Sequence, residues 1–131
     1  MIFLDTNIVM YAVGRPHPLR EPARTALKGS RGAGEALVTS AEVFQELLHI
    51  YLRVERELEL DRAWALLRAV TVETWAIDRD DVELARSLRS RYAGLSARDL
   101  VHLACCRRRD VSRVYTFDRG LKAAVTGETG A

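Results

Sequence analysis

The sequence predicts an α/β fold, a three-layer α/β/α sandwich with a mainly parallel central sheet. Three observations predict it. Short apolar runs rich in β-forming residues, or bounded by turn formers, fall at 2–4, 36–39, 70–75 and 112–117. Between them lie longer stretches with apolar residues at helical spacing, two to an interval. Strands that alternate with helices pair in parallel and carry helices on both sheet faces.

Ile2-Phe3-Leu4, closed by Asp5-Thr6-Asn7, reads as a buried strand, and residues 7–13 continue as a short helix. Gly14, Pro16 and Pro18 break the chain there and leave His17 on an exposed loop. A helix over 20–29 is expected to close at Gly29, before a loop through Arg31-Gly32-Ala33-Gly34. Ala36-Leu37-Val38-Thr39 is the second strand. Ser40 caps a helix over 41–53, with apolar residues at 43, 44, 47, 48, 51 and 52. A further helix covers 57–70, and alternation over 70–75 marks the third strand. Asp78 caps a helix over 79–92, Ser96 caps one over 97–109, and 112–117 is a last strand before a short terminal helix. No repeat or linker interrupts this order, so residues 1–131 are read as one domain.

Composition narrows the class. The chain has 131 residues, 48% hydrophobic and 29% charged, as in a soluble globular domain. No apolar run approaches the ~20 residues of a membrane span, and the N-terminus meets Asp5 at once, unlike a secretory signal; a cytoplasmic location is expected. Cys105 and Cys106 are neighbours with no other cysteine to pair with, which suits reduced core thiols. The net charge of +2 is unevenly spread: residues 53–83 carry −4 and residues 84–131 carry +6. A basic C-terminal third suits a polyanionic partner.

In a doubly wound sheet, ligands bind beyond the carboxyl ends of the strands, where the strand order reverses. Asp5 follows the first strand and Asp118 the last; Asp99 lies in the first turn of a capped helix; Glu46 lies about one and a half turns into the helix after the second strand. Glu42, on the same helix, competes for the role of Glu46. Carboxylates gathered from separate segments repel one another unless a hard cation such as Mg²⁺ or Mn²⁺ neutralises them, and a cation so held can activate water on a phosphodiester. Asn7 and Thr116 are placed to position water or an acid by hydrogen bonding.

The segments that carry these acids resemble those of PIN-domain nucleases. Asp5-Thr6-Asn7 is similar to the family's opening motif, Ser40-Ala41-Glu42-Val43-Phe44-Gln45-Glu46-Leu47 to its second, Leu95 to Ala104 around Asp99 to its third, and Val114-Tyr115-Thr116-Phe117-Asp118-Arg119-Gly120-Leu121 to its fourth. The likeness selects Glu46 over Glu42. It departs at Leu100, where many members carry alanine, and at Leu121, where an aromatic is common. Size and compactness resemble VapC toxins of bacterial toxin–antitoxin pairs. The resemblance implies an endoribonuclease with Asp5, Glu46, Asp99 and Asp118 as catalytic and metal-binding residues, Mg²⁺ or Mn²⁺ as cofactor, RNA as substrate, a VapB-type antitoxin and a homodimer.

Arg98 and Arg119 flank proposed ligands and are the expected RNA contacts. Tyr51, Leu60, Trp64 and Leu67 form an expected apolar stripe for a protein partner, and His49 and His102 are expected to line the site wall. Two other classes compete. A receiver-like phosphorylation module shares the acidic pocket but needs a lysine after the last strand, where this chain has Thr116-Phe117-Asp118. A di-iron site would use the Glu46/His49 and Asp99/His102 spacings but needs four long helices. A non-catalytic interaction module would have no need of all four acids.

Overall fold

A computed structural model describes residues 1–127. In chain order the elements are β1 (Ile2–Leu4), α1 (Thr6–Val13), α2 (Arg20–Gly32), β2 (Leu37–Ser40), α3 (Ala41–Arg53), α4 (Glu57–Val70), β3 (Thr71–Trp75), α5 (Arg79–Leu88), α6 (Ala97–Arg108), β4 (Val114–Tyr115) and α7 (Arg119–Thr126). The expected order of strands and helices is reproduced. All pairings are parallel, and the sheet runs β3-β2-β1-β4. The chain winds outward from β1 to β3, then returns to add β4 on β1's other side. The order therefore reverses between β1 and β4, and Asp5 and Asp118 leave the sheet on either side of that point.

The centre of the sheet is apolar because β1 is covered on both faces: Ile2, Phe3 and Leu4 are fully buried. Phe3 stacks on Trp75 with ring centroids 5.6 Å apart. Val43, Leu47, Leu67, Leu103 and Leu121 bring the helices onto this core. Leu121, where an aromatic was the family expectation, is fully buried there, and Leu100 packs beside Ala85 and Ala104 in a second cluster. Cys105 and Cys106 are buried and unbridged, and burial pushes the Cys105 thiol up to about 12, so both behave as inert core residues.

Three boundaries differ from the sequence reading. The last strand spans only Val114–Tyr115, not 112–117, because its partner β1 is three residues long. Beyond it, the Phe117 and Asp118 N–H groups donate to the side chains of Asn7 and Thr116. The helix expected to stop at Gly29 runs on to Gly32; the chain reverses at Gly34, whose φ of +69° is the left-handed conformation glycine accepts freely. The helix expected over 79–92 ends at Leu88, where Arg89 N–H bonds three residues back to the Arg86 carbonyl and tightens the last turn. Tyr92 thus stands on the connection to α6.

The stripe on α3 and α4 is also revised. Tyr51 and Leu67 are core residues, and Leu60 and Trp64 are half-buried, Trp64 edge-on to Phe44. Core packing needs these faces, so the apolar side chains left exposed here are Leu48, Leu52, Val54 and Leu58. No helix among the described residues is long and apolar enough to cross a membrane.

Candidate metal and catalytic site

Asp5 ends β1 and caps α1: its Oδ1 accepts the Thr6 N–H at 2.8 Å. Across the strand-order reversal, the Thr116 hydroxyl donates to Asp5 Oδ2 at 2.7 Å. The same Thr116 oxygen accepts from Asn7 Nδ2 at 3.2 Å and from the Asp118 N–H at 3.0 Å, so its one donor and both acceptor positions are used. Asn7 completes the link by accepting the Phe117 N–H at 3.2 Å. These bonds tie the end of β1 to the segment after β4 and fix where Asp5 points. Asp118 caps α7 by accepting the Leu121 N–H at 2.9 Å and remains exposed. Asp99 sits in the first turn of α6, where Ser96 Oγ accepts its N–H at 3.2 Å.

Glu46 reaches the same place from α3. Its Oε1 accepts the Thr6 hydroxyl at 2.7 Å. All four expected acids, Asp5, Glu46, Asp99 and Asp118, line one hollow of about 230 Å³, together with Asn7, Ser96 and Arg98. The tightest grouping of side chains at this hollow was not expected. Asp5, Glu46 and His102 each offer an atom within 4.8 Å of the others, and His102 Nε2 is 3.6 Å from both Asp5 Oδ1 and Glu46 Oε1. Asp99 and Asp118 lie outside this group.

Two readings of the histidines are therefore corrected. His49 is exposed and does not line the hollow. His102 is not on the wall but fully buried behind it, tilted against Phe3 with centroids 5.3 Å apart. Helix α6 rises from Asp99 toward the sheet, so the residue three places on turns into the core. Neither ring nitrogen has a hydrogen-bond partner among the described residues. Arg98 lines the hollow, and its guanidinium meets Glu42 Oε1 at 3.1 Å and Glu46 Oε2 at 3.6 Å. Glu42 thus serves as a counter-ion for Arg98. Arg119 is exposed and makes no ion pair among the described residues.

The electrostatics follow from burial and crowding. Burial raises the Asp5 carboxyl above its ordinary value, against the opposing pull of His102, Thr116 and Thr6. Asp99 is pushed up to about 6, first by burial and then by the charges of Asp5, Asp118 and Glu46, with His102 offsetting part. Burial alone would raise Glu46, but His102, Thr6 and Arg98 hold it below the usual carboxylate range. Burial would lower His102, yet Glu46, Asp5 and Asp99 raise it. The donors are mostly hard oxygens, crowded enough to resist full ionisation, and they suit a divalent cation of the Mg²⁺ type. Thr6 is the site residue that sequence reasoning missed, and its place beside Asp5 was the available signal; His102 was expected at the wall, and only its place against Asp5 and Glu46 is new.

The PIN domain family matches residues 2–125. Ribonuclease VapC23 of Mycobacterium tuberculosis is 56% identical over 124 residues, covering 95% of this chain and 98% of that protein. Ribonuclease VapC13 of the same species is 42% identical over 120 residues, covering 92% of each. Among solved structures, Mycobacterium tuberculosis VapC20, described as a Sarcin-Ricin loop cleaving toxin, superposes with a TM-score of 0.77 at 21% identity over 95% of both chains. A toxin–antitoxin complex from Klebsiella pneumoniae gives a TM-score of 0.64 at 22% identity, over 90% of this chain and 87% of that one. At such identity the two structures speak for the fold.

Proposed function

The chain belongs to the PIN-domain family, and on that premise we propose that it is a metal-dependent endoribonuclease, the toxin of a toxin–antitoxin pair. The observation that carries the reading is the convergence of Asp5, Glu46, Asp99 and Asp118 on one hollow at the strand-order reversal. The names of its relatives support RNA as the substrate. The family match over residues 2–125 supports treating the chain as one such domain.

In this reading Asp5, Glu46, Asp99 and Asp118 hold Mg²⁺ or Mn²⁺. The chemistry supplied by such an ion when bound is acidification of a water and neutralisation of charge on the phosphodiester. The chain's own residues do the positioning. Thr116 and the Thr6 N–H fix both oxygens of Asp5; the Thr6 hydroxyl and Arg98 orient Glu46; the start of α7 orients Asp118. Asp99 carries a proton on its carboxyl at mildly acidic pH and must release it to serve as a ligand, so metal uptake strengthens as pH rises through about 6.

The reading extends to a cytoplasmic protein, a homodimer, and a VapB-type antitoxin seated on the exposed apolar residues of α3 and α4. Purified protein should cut RNA with Mg²⁺ or Mn²⁺ and stop in EDTA, and Asp5→Ala should abolish cutting. Full cutting in EDTA, or wild-type rates for Asp5→Ala, overturns the assignment. Light scattering on the free protein tests the dimer; a monomeric mass removes it.

A further inference from the structure

Once their partners are known, the arginines of the C-terminal third fall into two groups. Arg108 and Arg109 are engaged by Asp81, Arg98 by Glu42 and Glu46, and Arg113 by Glu35. Arg107 donates to the Tyr92 hydroxyl at 2.7 Å and to the Ala124 carbonyl at 3.2 Å. Arg86, Arg89, Arg91 and Arg119 are exposed and have no ion pair among the described residues. The first three are not scattered. A hollow of about 480 Å³ begins at Asp118 and is walled by Arg91, Tyr92, Leu95 and Ala123. A second, of about 680 Å³, shares Leu95 with it and carries Arg86 and Arg89. The two hollows, which share Leu95, place Asp118, Tyr92 and the arginines at the end of α5 along one stretch of indented surface. Asp118 is the one acid that lines it.

We propose that this depression is the track along which single-stranded RNA leaves the carboxylates. A base next to the scissile phosphate lies in the first hollow against Tyr92 and Leu95, and Arg91, Arg89 and Arg86 take the phosphates that follow. The proposal rests on the reading of the site as an RNA-cutting centre and names its substrate path. Tyr92 is held by the hydrogen bond from Arg107, and the guanidinium groups of Arg91 and Arg107 each lie 5.8 Å from its ring centroid, so a base would stack on this group of ring and guanidinium planes. A base can enter such a hollow only when it is unstacked, which selects loops and single strands over a duplex. The rim supplies guanidinium groups for phosphate and the interior supplies apolar surface for a base. A protein segment docking by an apolar face fits less well, because none of the large exposed hydrophobic side chains lines either hollow.

The test measures binding apart from cutting. The Asp99→Asn protein in EDTA is titrated with a labelled short single-stranded RNA, and with the same sequence as a duplex, over a range of salt concentrations. The added triple change Arg86→Ala, Arg89→Ala, Arg91→Ala is expected to flatten the salt dependence by about 0.7 in log–log slope for each phosphate no longer held. All three residues are exposed, so melting should be unchanged. Tyr92→Leu is expected to weaken single-strand binding by about 5- to 100-fold at unchanged slope. Tyr92→Phe keeps the ring and loses the anchoring hydroxyl, and it should bind close to wild type. An unchanged slope in the triple variant overturns the track, as does a preference for duplex, or a triple variant that loses antitoxin while keeping RNA. Wild-type protein that cuts no RNA with metal overturns the proposed function itself. Cutting by wild type, with the triple variant binding normally, overturns the track alone.

Discussion

Thr116 shows how one small side chain organises a site. Its hydroxyl faces Asp5, Asn7 and the Asp118 N–H at once. Thr116→Val keeps the shape and removes all three bonds. Groups that orient metal ligands are worth about 10- to 100-fold in metal affinity or activity when removed. A drop of that size in Mn²⁺ affinity by calorimetry is expected, with Thr116→Ser recovering most of it; a Thr116→Val protein with wild-type affinity removes the role. Asp99 gives a second prediction, with a sign fixed by linkage. Its carboxyl sits at about 6 in the folded protein against an ordinary 3.8. A raised acid favours folding while protonated, so its contribution is full below the unfolded value and is lost as pH rises through the folded one. Asp99→Asn should therefore cut no RNA yet melt higher than wild type in EDTA at pH 8, by about 1–2 kcal/mol after allowance for partial exposure. The gap should close near pH 4. A variant that melts lower at pH 8 would mark Asp99 as a structural cap.

Helices α5 and α6 are joined by ions as well as by packing. Asp81 is fully buried and meets Arg108 and Arg109, each at 2.9 Å, and its side chain closes a capping box with Asp78. These partners hold its carboxyl well below the usual range despite burial. Arg109 also lies over the Trp75 ring, 5.0 Å from its centroid, which ties the pair of helices to β3. The carboxylate is buried, but Arg108 and Arg109 keep 33% and 25% of their side chains exposed, so Asp81→Ala leaves them partly solvated and should cost about 1–3 kcal/mol by denaturant unfolding. A lowered acid stabilises above its unfolded value, so this contribution falls away as pH drops below about 4. A loss under about 1 kcal/mol would mean that the arginines find water instead. On α3 and α4, Leu52 and Leu58 are 55% and 60% exposed, more than folding requires. Leu52→Asp with Leu58→Asp should leave RNA cutting intact and weaken inhibition by the cognate antitoxin at least tenfold. Unchanged inhibition would place the antitoxin elsewhere.

For the molecule as a whole, the sheet order matters most. Because β4 returns beside β1, the segments after both strands meet, and α3 and α6 converge on them with Glu46 and Asp99. The raised carboxyls of Asp5 and Asp99 oppose folding while ionised, and a cation that bound only the folded state would stabilise it by mass action. At metal concentrations near one hundred times Kd, the gain should be about 2.7 kcal/mol in unfolding free energy, and Asp99→Asn should gain less. Equal metal gains for both proteins would exclude Asp99 from the binding set.

Much of this was legible in the chain. Apolar period marked the elements in order, because strand and helix formation here depends on neighbours in sequence; Asp78 and Ser96 cap their helices through their side chains, whereas Ser40 holds the N-cap position of α3 without a capping hydrogen bond. Asp5, Asp99 and Asp118 were legible for the same reason, since each follows a strand or opens a helix; Glu46 was chosen over Glu42 only by the family resemblance. Element ends were less so; β4 is short because β1 is short, and no local pattern carries that. Three facts belonged to tertiary structure alone. His102 lies behind the carboxylates instead of beside them, because α6 packs on Phe3. Arg98 pairs with Glu42 and Glu46, 56 and 52 residues away in sequence, whereas Arg86, Arg89 and Arg91 stay free of ion pairs among the described residues. Sequence determines which residues carry charge and which elements they ride on. Whether a charge is buried, paired or open to a substrate depends on distances set by distant segments packing together, and only the folded chain decides those.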